Sequence, residues 1–245
     1  MNSIGKNFQA TDTIEQKITF FIDLLSSVST LTYESFYLLD LSNKRLLYVS
    51  ENPFPLYKLS QEELISKGFD FYLSFLNEKE REFFLWLQRV GRKKMNEVDE
   101  ARRLSSFLTY DFHVCLPNKK QVLVNRKIKP LTIGTEKDIE LALAIDTLSS
   151  NTHWGNIRFY SDDPIFYEEL SLATLRWEKK RKVVLTPAEQ EMVILSSQGW
   201  NMKQIAEMMN KSVDSIKHYR KKLLAKMGVK NIGAAIVASI NGRKL

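Results

Sequence analysis

Cysteine and histidine are scarce in this chain. Its 245 residues contain one cysteine, Cys115, and three histidines. A single cysteine excludes an internal disulfide framework, and no ligand pair with zinc spacing accompanies His113, Cys115 or His153. We therefore interpret Cys115 as a small buried side chain on a strand, and we expect no metal ion.

Long apolar runs and glycine-rich motifs are also lacking. The longest apolar run near the N-terminus, residues 20–25, is interrupted by Asp23 and is far shorter than the ~20 residues that a membrane span needs. No basic start with a long apolar segment resembles a signal peptide, so we expect a cytoplasmic protein with no membrane partner. There is no phosphate-binding glycine pattern and no nucleophile beside a base. We expect no enzyme, and no cofactor is evident.

Acidic residues are scarce in one part of the chain. Residues 176–245 contain 15 Lys and Arg against 5 Asp and Glu, a net charge of +10, whereas the rest of the chain contains 21 against 24. This asymmetry favours a polyanion as the partner of the basic end, nucleic acid before membrane, because no basic amphipathic helix with a broad aromatic face occurs there. A solvated surface that only maintains solubility would explain the same charge.

The first part of the chain predicts helices mixed with antiparallel strands. Apolar residues at helical spacing predict a helix over residues 13–28, which could cover a core or pair with a second copy. Apolar runs on both sides of residues 42–44 predict a β-hairpin. Ser60 and Glu63 form a capping box, and a longer helix is expected from Asn77. Three alternating runs then predict an antiparallel sheet with one covered face: SFLTYDFHVCL, KQVLVNRKIKPL and DIELALAIDTL.

Residues 156–182 are interpreted as a connector. A short run, IRFY, precedes a turn at Asp162, Asp163 and Pro164. The aspartate pair resembles that of a phosphoreceiver, but no parallel-strand pattern accompanies it, so a turn is the better interpretation. The next segment, FYEELSLATLRWEKK, predicts a helix. One face of that helix would carry Phe166, Leu170, Ala173 and Trp177. The segment lacks the Gly and Ser of a flexible linker, so we expect a packed coupling element.

The C-terminal end predicts four capped helices. Thr186, Pro187 and Glu189 supply the N-cap, the first-turn proline and the N3 acid of the first helix. Gly199 ends this first helix. Asn201 with Gln204 begins the second helix, Ser212 with Asp214 begins the third, and Gly228 ends the third. A fourth, apolar helix is expected from Ile232 to Ile240.

The third of these helices carries an unusual density of positive charge. Lys and Arg residues spaced three or four apart on one helix repel each other by a few tenths of a kcal/mol per pair. Burial of Ile216, Leu223 and Met227 would leave the opposite face of this helix free. Two short helices joined by a tight turn, the second of them cationic, form a helix-turn-helix. The free face carries Lys217, His218 and Lys221. Contact with DNA phosphates would offset the repulsion by releasing counterions.

The order strand, strand, short helices, long helix and three strands over residues 33–148 resembles a PAS-type sensor domain. Further likeness is found in YVSEN at 48–52, in YKLSQEEL at 57–64, and in a last strand that closes on Asp146 and Thr147. The resemblance implies a cupped sheet that holds a small ligand or only a partner, while an unrelated α+β domain remains the alternative. The predicted fold class is α+β, and the predicted limits are residues 1–32 for the N-terminal helix, 33–148 for the sensor, 149–183 for the connector and 184–245 for the helical domain.

The helical end resembles the LuxR-type, or GerE-type, DNA-binding domain over about residues 184–240. The motifs are LTPAEQE at 185–191, Gly199, KQIA at 203–206, NKSVDSIK at 210–217 and AKMGVKN at 225–231. The resemblance implies base contacts from Lys217, His218 and Lys221. It implies phosphate contacts from Ser212, Ser215, Tyr219, Arg220, Lys222 and Lys230, and a dimer contact from Ile236, Val237 and Ile240.

Three positions depart from the family pattern. Ala188 stands where Arg is common after LTP, Gln204 where Glu is frequent before IA, and Tyr219 where His often stands. Only Tyr219 affects a predicted contact, since it puts the phosphate contact there in doubt.

We expect a one-component transcription regulator that binds double-stranded DNA as a homodimer. The alternative is a protein–protein signalling module for which DNA is only an anchor.

Overall fold

The structure is a computed structural model, and it describes residues 12–32, 34–51, 59–68, 70–115, 120–134 and 137–241. Several predicted features lie wholly or partly outside these ranges. They are the residues Asn52, Tyr57 and Lys58 of the sensor motifs and the ends of the predicted domains at residues 1–11 and 242–245.

Most of the described residues belong to nine helices and eight strands. In chain order, the helices and strands of the sheet-containing part are α1 (Ile14–Ser29), β1 (Ser35–Asp40), β2 (Arg45–Val49), α2 (Gln61–Lys67), α3 (Asp70–Phe75), α4 (Glu78–Asn96), α5 (Glu100–Arg103), β3 (Phe107–Cys115), β4 (Gln121–Pro130), β5 (Leu141–Leu148), β6 (Gly155–Tyr160), β7 (Phe166–Ser171) and β8 (Arg176–Arg181). The helices α6 (Pro187–Ser197), α7 (Met202–Met208), α8 (Val213–Met227) and α9 (Ile232–Asn241) follow. The order predicted up to residue 148 is confirmed, as are the capping boxes of α2 and α6.

The eight strands form one sheet in the order β2-β1-β5-β4-β3-β6-β7-β8. The hairpin β1–β2, the hairpin β3–β4 and the pairing of β1 with β5 are all antiparallel. The α+β class is therefore confirmed, with an antiparallel sheet and helices followed by an all-helical domain.

The sheet has two covered faces, so the prediction of one covered face is wrong. On β1, Tyr37 and Leu39 belong to the core under α4, whereas Phe36 and Leu38 pack with Phe21 and other residues of α1. The predicted N-terminal helix thus covers a core. The helix α4 approaches the sheet closely at Gly91, where an added Cβ would lie 2.8 Å from Leu108 Cδ2.

An ion pair is buried in the core of the sheet. Arg126 of β4 donates to Asp146 of β5 through Nε at 2.7 Å and Nη2 at 2.5 Å, and the two residues are 1% and 0% exposed. The guanidinium also lies 5.5 Å from the ring centre of Tyr37 and 5.0 Å from that of Phe112. Burial raises the pKa of the neighbouring Tyr110, and the charge of Arg126 offsets this only in part.

The helix predicted over residues 166–180 is wrong, because these residues form the hairpin β7–β8 and extend the sheet. Strand β6 pairs with both β3 and β7, with Arg158 opposite Glu169. A spacing of four residues fits one face of a helix but also one face of a strand, so Phe166 and Leu170 did not distinguish the two. The turn at Asp163 is confirmed, since its Oδ1 accepts hydrogen bonds from the N–H groups of Ile165 and Phe166 at 2.9 Å.

Cys115 is also placed differently from the prediction. It is only half-buried at the end of β3, and Gln121 Nε2 donates to its Sγ at 3.6 Å. The end of a strand leaves one side of a residue uncovered, which explains the exposure.

The predicted limits of the domains stay predictions. The chain nevertheless divides into two compact units, Met1–Thr147 with His153–Lys180, and Leu148–Thr152 with Arg181–Leu245.

Among the described residues, no single helix has both the length and the apolar composition to cross a membrane. The bent pair Val213–Met227 and Ile232–Ile240, with 53° between its helices, passes that test by length and composition alone.

Candidate nucleic-acid interface

The helices α7 and α8 are joined by a tight turn. Asn210 adopts a left-handed conformation with φ 49°, which asparagine tolerates better than most residues. The N–H of Lys211 donates to the Ala206 carbonyl at 2.8 Å, so the turn closes directly onto α7. Ser212 then caps α8, accepting from the Ser215 N–H at 3.1 Å. Sequence-encoded capping thus fixes the point at which α8 begins.

One face of α8 is held by the core of the helical unit. Ile216 and Leu223 are both 0% exposed, and they pack with Leu185, Val193 and Ile205. Val213 and Met227 pack partly against the same cluster. The predicted buried face of α8 is therefore confirmed, and its burial determines the rotation of the helix about its axis.

The opposite face of α8 carries the three predicted base contacts. Lys217, His218 and Lys221 are all exposed. Lys217 Nζ lies 2.9 Å from Asp214 Oδ1 on the same helix, but both side chains are largely in solvent, where such a pair contributes little. His218 and Lys221 have no hydrogen bond or ion pair with any residue that the structure describes. This face can therefore offer three cationic or polar side chains to a groove.

Most of the predicted phosphate contacts lie beside this face. Ser212, Tyr219, Lys222 and Lys230 are exposed, and Ser215 and Arg220 are half-buried. Arg220 Nη1 donates to Met202 Sδ at 3.8 Å, which ties its guanidinium to α7. The ring of Tyr219 lies 5.3 Å from Lys211 Nζ.

Lys226 differs from the other cations of α8 because it has a partner on α6. Its Nζ donates to Glu189 Oε2 at 2.6 Å, while the same carboxylate completes the capping box with Thr186. Burial alone would raise the pKa of Glu189, but the hydrogen bonds from Lys226 and Thr186 outweigh it and hold that pKa below its ordinary value. Lys226 thus stabilises the helical unit.

The predicted dimer contacts lie on α9. Ile240 is 58% exposed, Val237 is half-buried, and Ile236 packs in part against the core of its own unit. Exposed apolar side chains on a terminal helix are available to a second copy, and Ile240 offers the largest share of its surface.

Sequence reasoning missed two features of this surface. It did not include Lys211, which lies next to the Tyr219 ring, although its position directly before the N-cap Ser212 was a usable signal. It also did not anticipate the pair of Lys226 with Glu189, because that contact joins residues 37 positions apart.

The described residues contain no group of three or more His, Cys, Asp or Glu side chains that could hold a metal ion. His113 is engaged elsewhere, since its Nδ1 lies 2.7 Å from Glu80 Oε1 and its backbone N–H donates to Glu80 Oε2.

The chain has an antiparallel sheet domain followed by a capped four-helix domain whose third helix is cationic. This arrangement defines a helix-turn-helix protein with an attached α+β domain. Residues 183–239 match the GerE family, described as bacterial regulatory proteins of the luxR family. The C-terminal domain of this chain belongs to that family.

Comparison with known proteins gives three further likenesses. The transcriptional activator protein BglJ of Escherichia coli (strain K12) is 30% identical over 115 residues, which cover 42% of this chain and 51% of BglJ. This chain therefore spans about half the length of that relative. The phage VqmA–DPO complex is 12% identical, with a TM-score of 0.36, covering 94% of this chain and 91% of that one. A PAS domain from Colwellia psychrerythraea is 12% identical, with a TM-score of 0.38, covering 52% and 96%.

Proposed function

We propose that this protein is a transcription regulator that binds double-stranded DNA through α8, with its sheet domain sensing a ligand or a partner. The observation that carries the proposal is the division of α8 into two faces. Ile216 and Leu223 are fully buried, and Lys217, His218 and Lys221 are exposed together on the other side. The GerE match over residues 183–239 supports it.

The proposed contacts fall into two kinds with different consequences. Lys217, His218 and Lys221 would read base edges in the major groove, which an α-helix can enter. Ser212, Ser215, Tyr219, Arg220, Lys222 and Lys230 would contact phosphates, which position the protein but carry no sequence information. As a DNA-binding regulator, the protein would act in the cytoplasm and would not be an enzyme.

Dimerisation through Ile236, Val237 and Ile240 of α9 would present two copies of α8. Paired helices of this kind bind half-sites about one helical turn apart, roughly 34 Å. The expected target is therefore a site with two related halves at that spacing.

Selection from random duplexes, followed by affinity measurements with single variants, tests the proposal. Lys217→Ala should weaken binding to the selected site by about 1–3 kcal/mol and relax its sequence preference, whereas Lys222→Ala should weaken selected and unrelated duplexes alike. Lys93→Ala on α4, an exposed lysine outside the helical unit, is the matched control. A protein whose affinity for duplex does not fall with salt would contradict the proposal.

A second candidate function is a signalling module whose sheet domain recruits a partner protein, with DNA as an anchor. The core of the sheet favours this candidate, because the domain's own side chains occupy it. Arg126, Tyr37 and Phe112 pack together there. Random-duplex selection that enriches no sequence would support this candidate. Mass spectrometry of small molecules released from the native protein would instead identify a ligand for the sensing function.

A further inference from the structure

We propose that Lys211, in the turn before α8, is a further DNA phosphate contact and that the ring of Tyr219 positions it. The inference rests on the proposed function, because it adds a residue to the same DNA complex. Both residues lie within the helical unit. The observation behind it is the position of the Lys211 ammonium, which lies over the ring of a residue of α8.

The backbone of the turn fixes where the Lys211 side chain begins. Asn210, directly before it, is left-handed with φ 49°, and the Lys211 N–H donates to the Ala206 carbonyl at 2.8 Å. Directly after it, Ser212 caps α8 by accepting from the Ser215 N–H at 3.1 Å. The Lys211 backbone is therefore held on both sides, and only its side chain has freedom of direction.

The side chain of Lys211 extends along α8. Its Nζ lies 5.3 Å from the ring centre of Tyr219, which follows Ser212 by seven positions, a rise of about 10 Å along the helix. A helical side chain leans back toward the N-terminus of its helix, so the tyrosine ring and the lysine approach each other from opposite ends. The ring attracts the ammonium and restricts its position.

The ammonium lies on the flank of α8 that carries three of the proposed phosphate contacts. Ser212, Ser215 and Tyr219 are spaced three and four positions apart, which makes them neighbours on one side of a helix. Ser212 Oγ and Ser215 Oγ lie 2.9 Å apart, and that contact uses only one of the two hydroxyl hydrogens. The flank therefore offers a hydroxyl donor and an ammonium near the N-terminus of α8, where the helix dipole favours an anion.

The tyrosine ring holds Lys211 without neutralising it. Lys211 is exposed and has no ion pair or side-chain hydrogen bond with any residue that the structure describes. Asp214, in the first turn of α8, is instead bonded to Lys217 at 2.9 Å. An ammonium has three donors, so Lys211 can stay over the ring and still donate to a phosphate oxygen.

A purely structural role is the competing explanation of the same contact. The lysine and the ring would then fasten the turn to α8 in the free protein. That role predicts that Lys211→Ala lowers the thermal stability of the helical unit and leaves the salt dependence of duplex binding unchanged. The two explanations therefore differ in a measurable way.

The first test measures duplex affinity of full-length Lys211→Ala from 50 to 200 mM salt. One lost phosphate contact should reduce the slope of log K against log salt by about 0.9, so the affinity ratio of native chain to variant should fall about threefold over this range. The change should be equal for the selected site and an unrelated duplex, because phosphates carry no sequence information. Lys211→Arg, which keeps the charge, should retain the slope, and Lys93→Ala on α4 should leave it unchanged.

The second test asks whether the Tyr219 ring positions the lysine. Tyr219→Phe and Tyr219→Leu both lack the hydroxyl, but only phenylalanine keeps the ring. With Lys211 present, the leucine variant should bind duplex about two- to tenfold more weakly than the phenylalanine variant, since binding must then order one more flexible side chain. In the Lys211→Ala background, the two variants should bind equally. An equal gap in both backgrounds would overturn the positioning role of Tyr219.

Lys217→Ala separates failure of this inference from failure of the proposed function. If Lys217→Ala weakens binding while Lys211→Ala keeps the native slope, as the Lys93→Ala control should, the inference is wrong and the proposed function stands. A native slope with lowered thermal stability of Lys211→Ala would assign the lysine to the structural role. If neither Lys217→Ala nor Lys211→Ala changes duplex affinity, the proposed function fails and the inference fails with it.

Discussion

Replacing Leu223 with alanine should destabilise α8 and its proposed DNA-binding face without changing any side chain that is proposed to contact DNA. Leu223 is 0% exposed on the buried face of α8 and packs with the cluster that includes Val193 and Ile205. Truncation of a fully buried leucine removes apolar contacts and leaves a cavity, which costs about 2–5 kcal/mol. The matched change on the other face is Lys221→Ala, where an exposed side chain with no described partner is removed and stability should stay within about 0.5 kcal/mol.

Hydrogen exchange of the peptide that covers α8 separates the two effects. Leu223→Ala should accelerate exchange of its slowest amides by at least about thirtyfold, because about 1.4 kcal/mol corresponds to a factor of ten. Lys221→Ala should leave exchange unchanged and weaken duplex binding by about 1–3 kcal/mol.

Three results would refute this reasoning. Leu223→Ala could leave the protection of α8 intact, in which case the leucine does not hold the helix. Lys221→Ala could lower protection as much as Leu223→Ala, in which case the lysine belongs to the core. Lys221→Ala could also leave both exchange and affinity unchanged, which would remove the exposed face of α8 from the site.

Further predictions concern a cap, a buried pair and a titrating carboxylate. Gly228→Ala should cost about 1–2 kcal/mol, because φ is 67° there and a Cβ would meet nothing within 4 Å, so backbone strain is the whole effect; thermal unfolding checks it. Asp146→Asn should cost about 3–5 kcal/mol by leaving the buried Arg126 without its counterion, and the apolar double replacement Arg126→Met/Asp146→Leu should recover most of that loss; a denaturant-measured loss below 1 kcal/mol for the single variant would contradict this. The lowered pKa of Glu189 means that its contribution is present above pH ~4.5 and is lost as the pH falls further. Glu189→Gln, which can still form the capping box, should therefore give a flatter stability profile between about pH 5 and 3; an unchanged profile would assign the acid sensitivity to other groups.

Local chemistry made much of this fold predictable. Caps at Thr186, Asn201 and Ser212 fixed where three helices begin, because a side-chain oxygen two or three residues from a free N–H acts without tertiary help. The left-handed stop at Gly228 is of the same kind.

The hairpin β7–β8 shows where local patterns fail. Phe166 and Leu170 satisfy both a helical and a strand period, and the structure resolves the choice by pairing β7 with β6, the preceding strand, across the turn at Asp163. The predicted turn was therefore the available signal for a hairpin, but the spacing of the apolar residues did not distinguish a strand from a helix. The exposed Leu175, with φ 55°, adds to the difficulty, because a bulky residue in a left-handed turn gives none of the glycine signal typical of hairpins.

The positive charges crowded on α8 are only partly unpaired in the free protein. Lys226 is neutralised within the protein by Glu189, and Lys217 has a weak exposed partner in Asp214. His218, Lys221 and Lys222 have no partner among the described residues. The repulsion that DNA would offset is therefore concentrated at the middle of α8, one turn beyond its capped N-terminus. Because burial of Ile216 and Leu223 fixes the rotation of α8, Lys221 and Lys222 already lie on exposed positions of the helix in the free protein, and a duplex would meet both charges without a rotation of the helix.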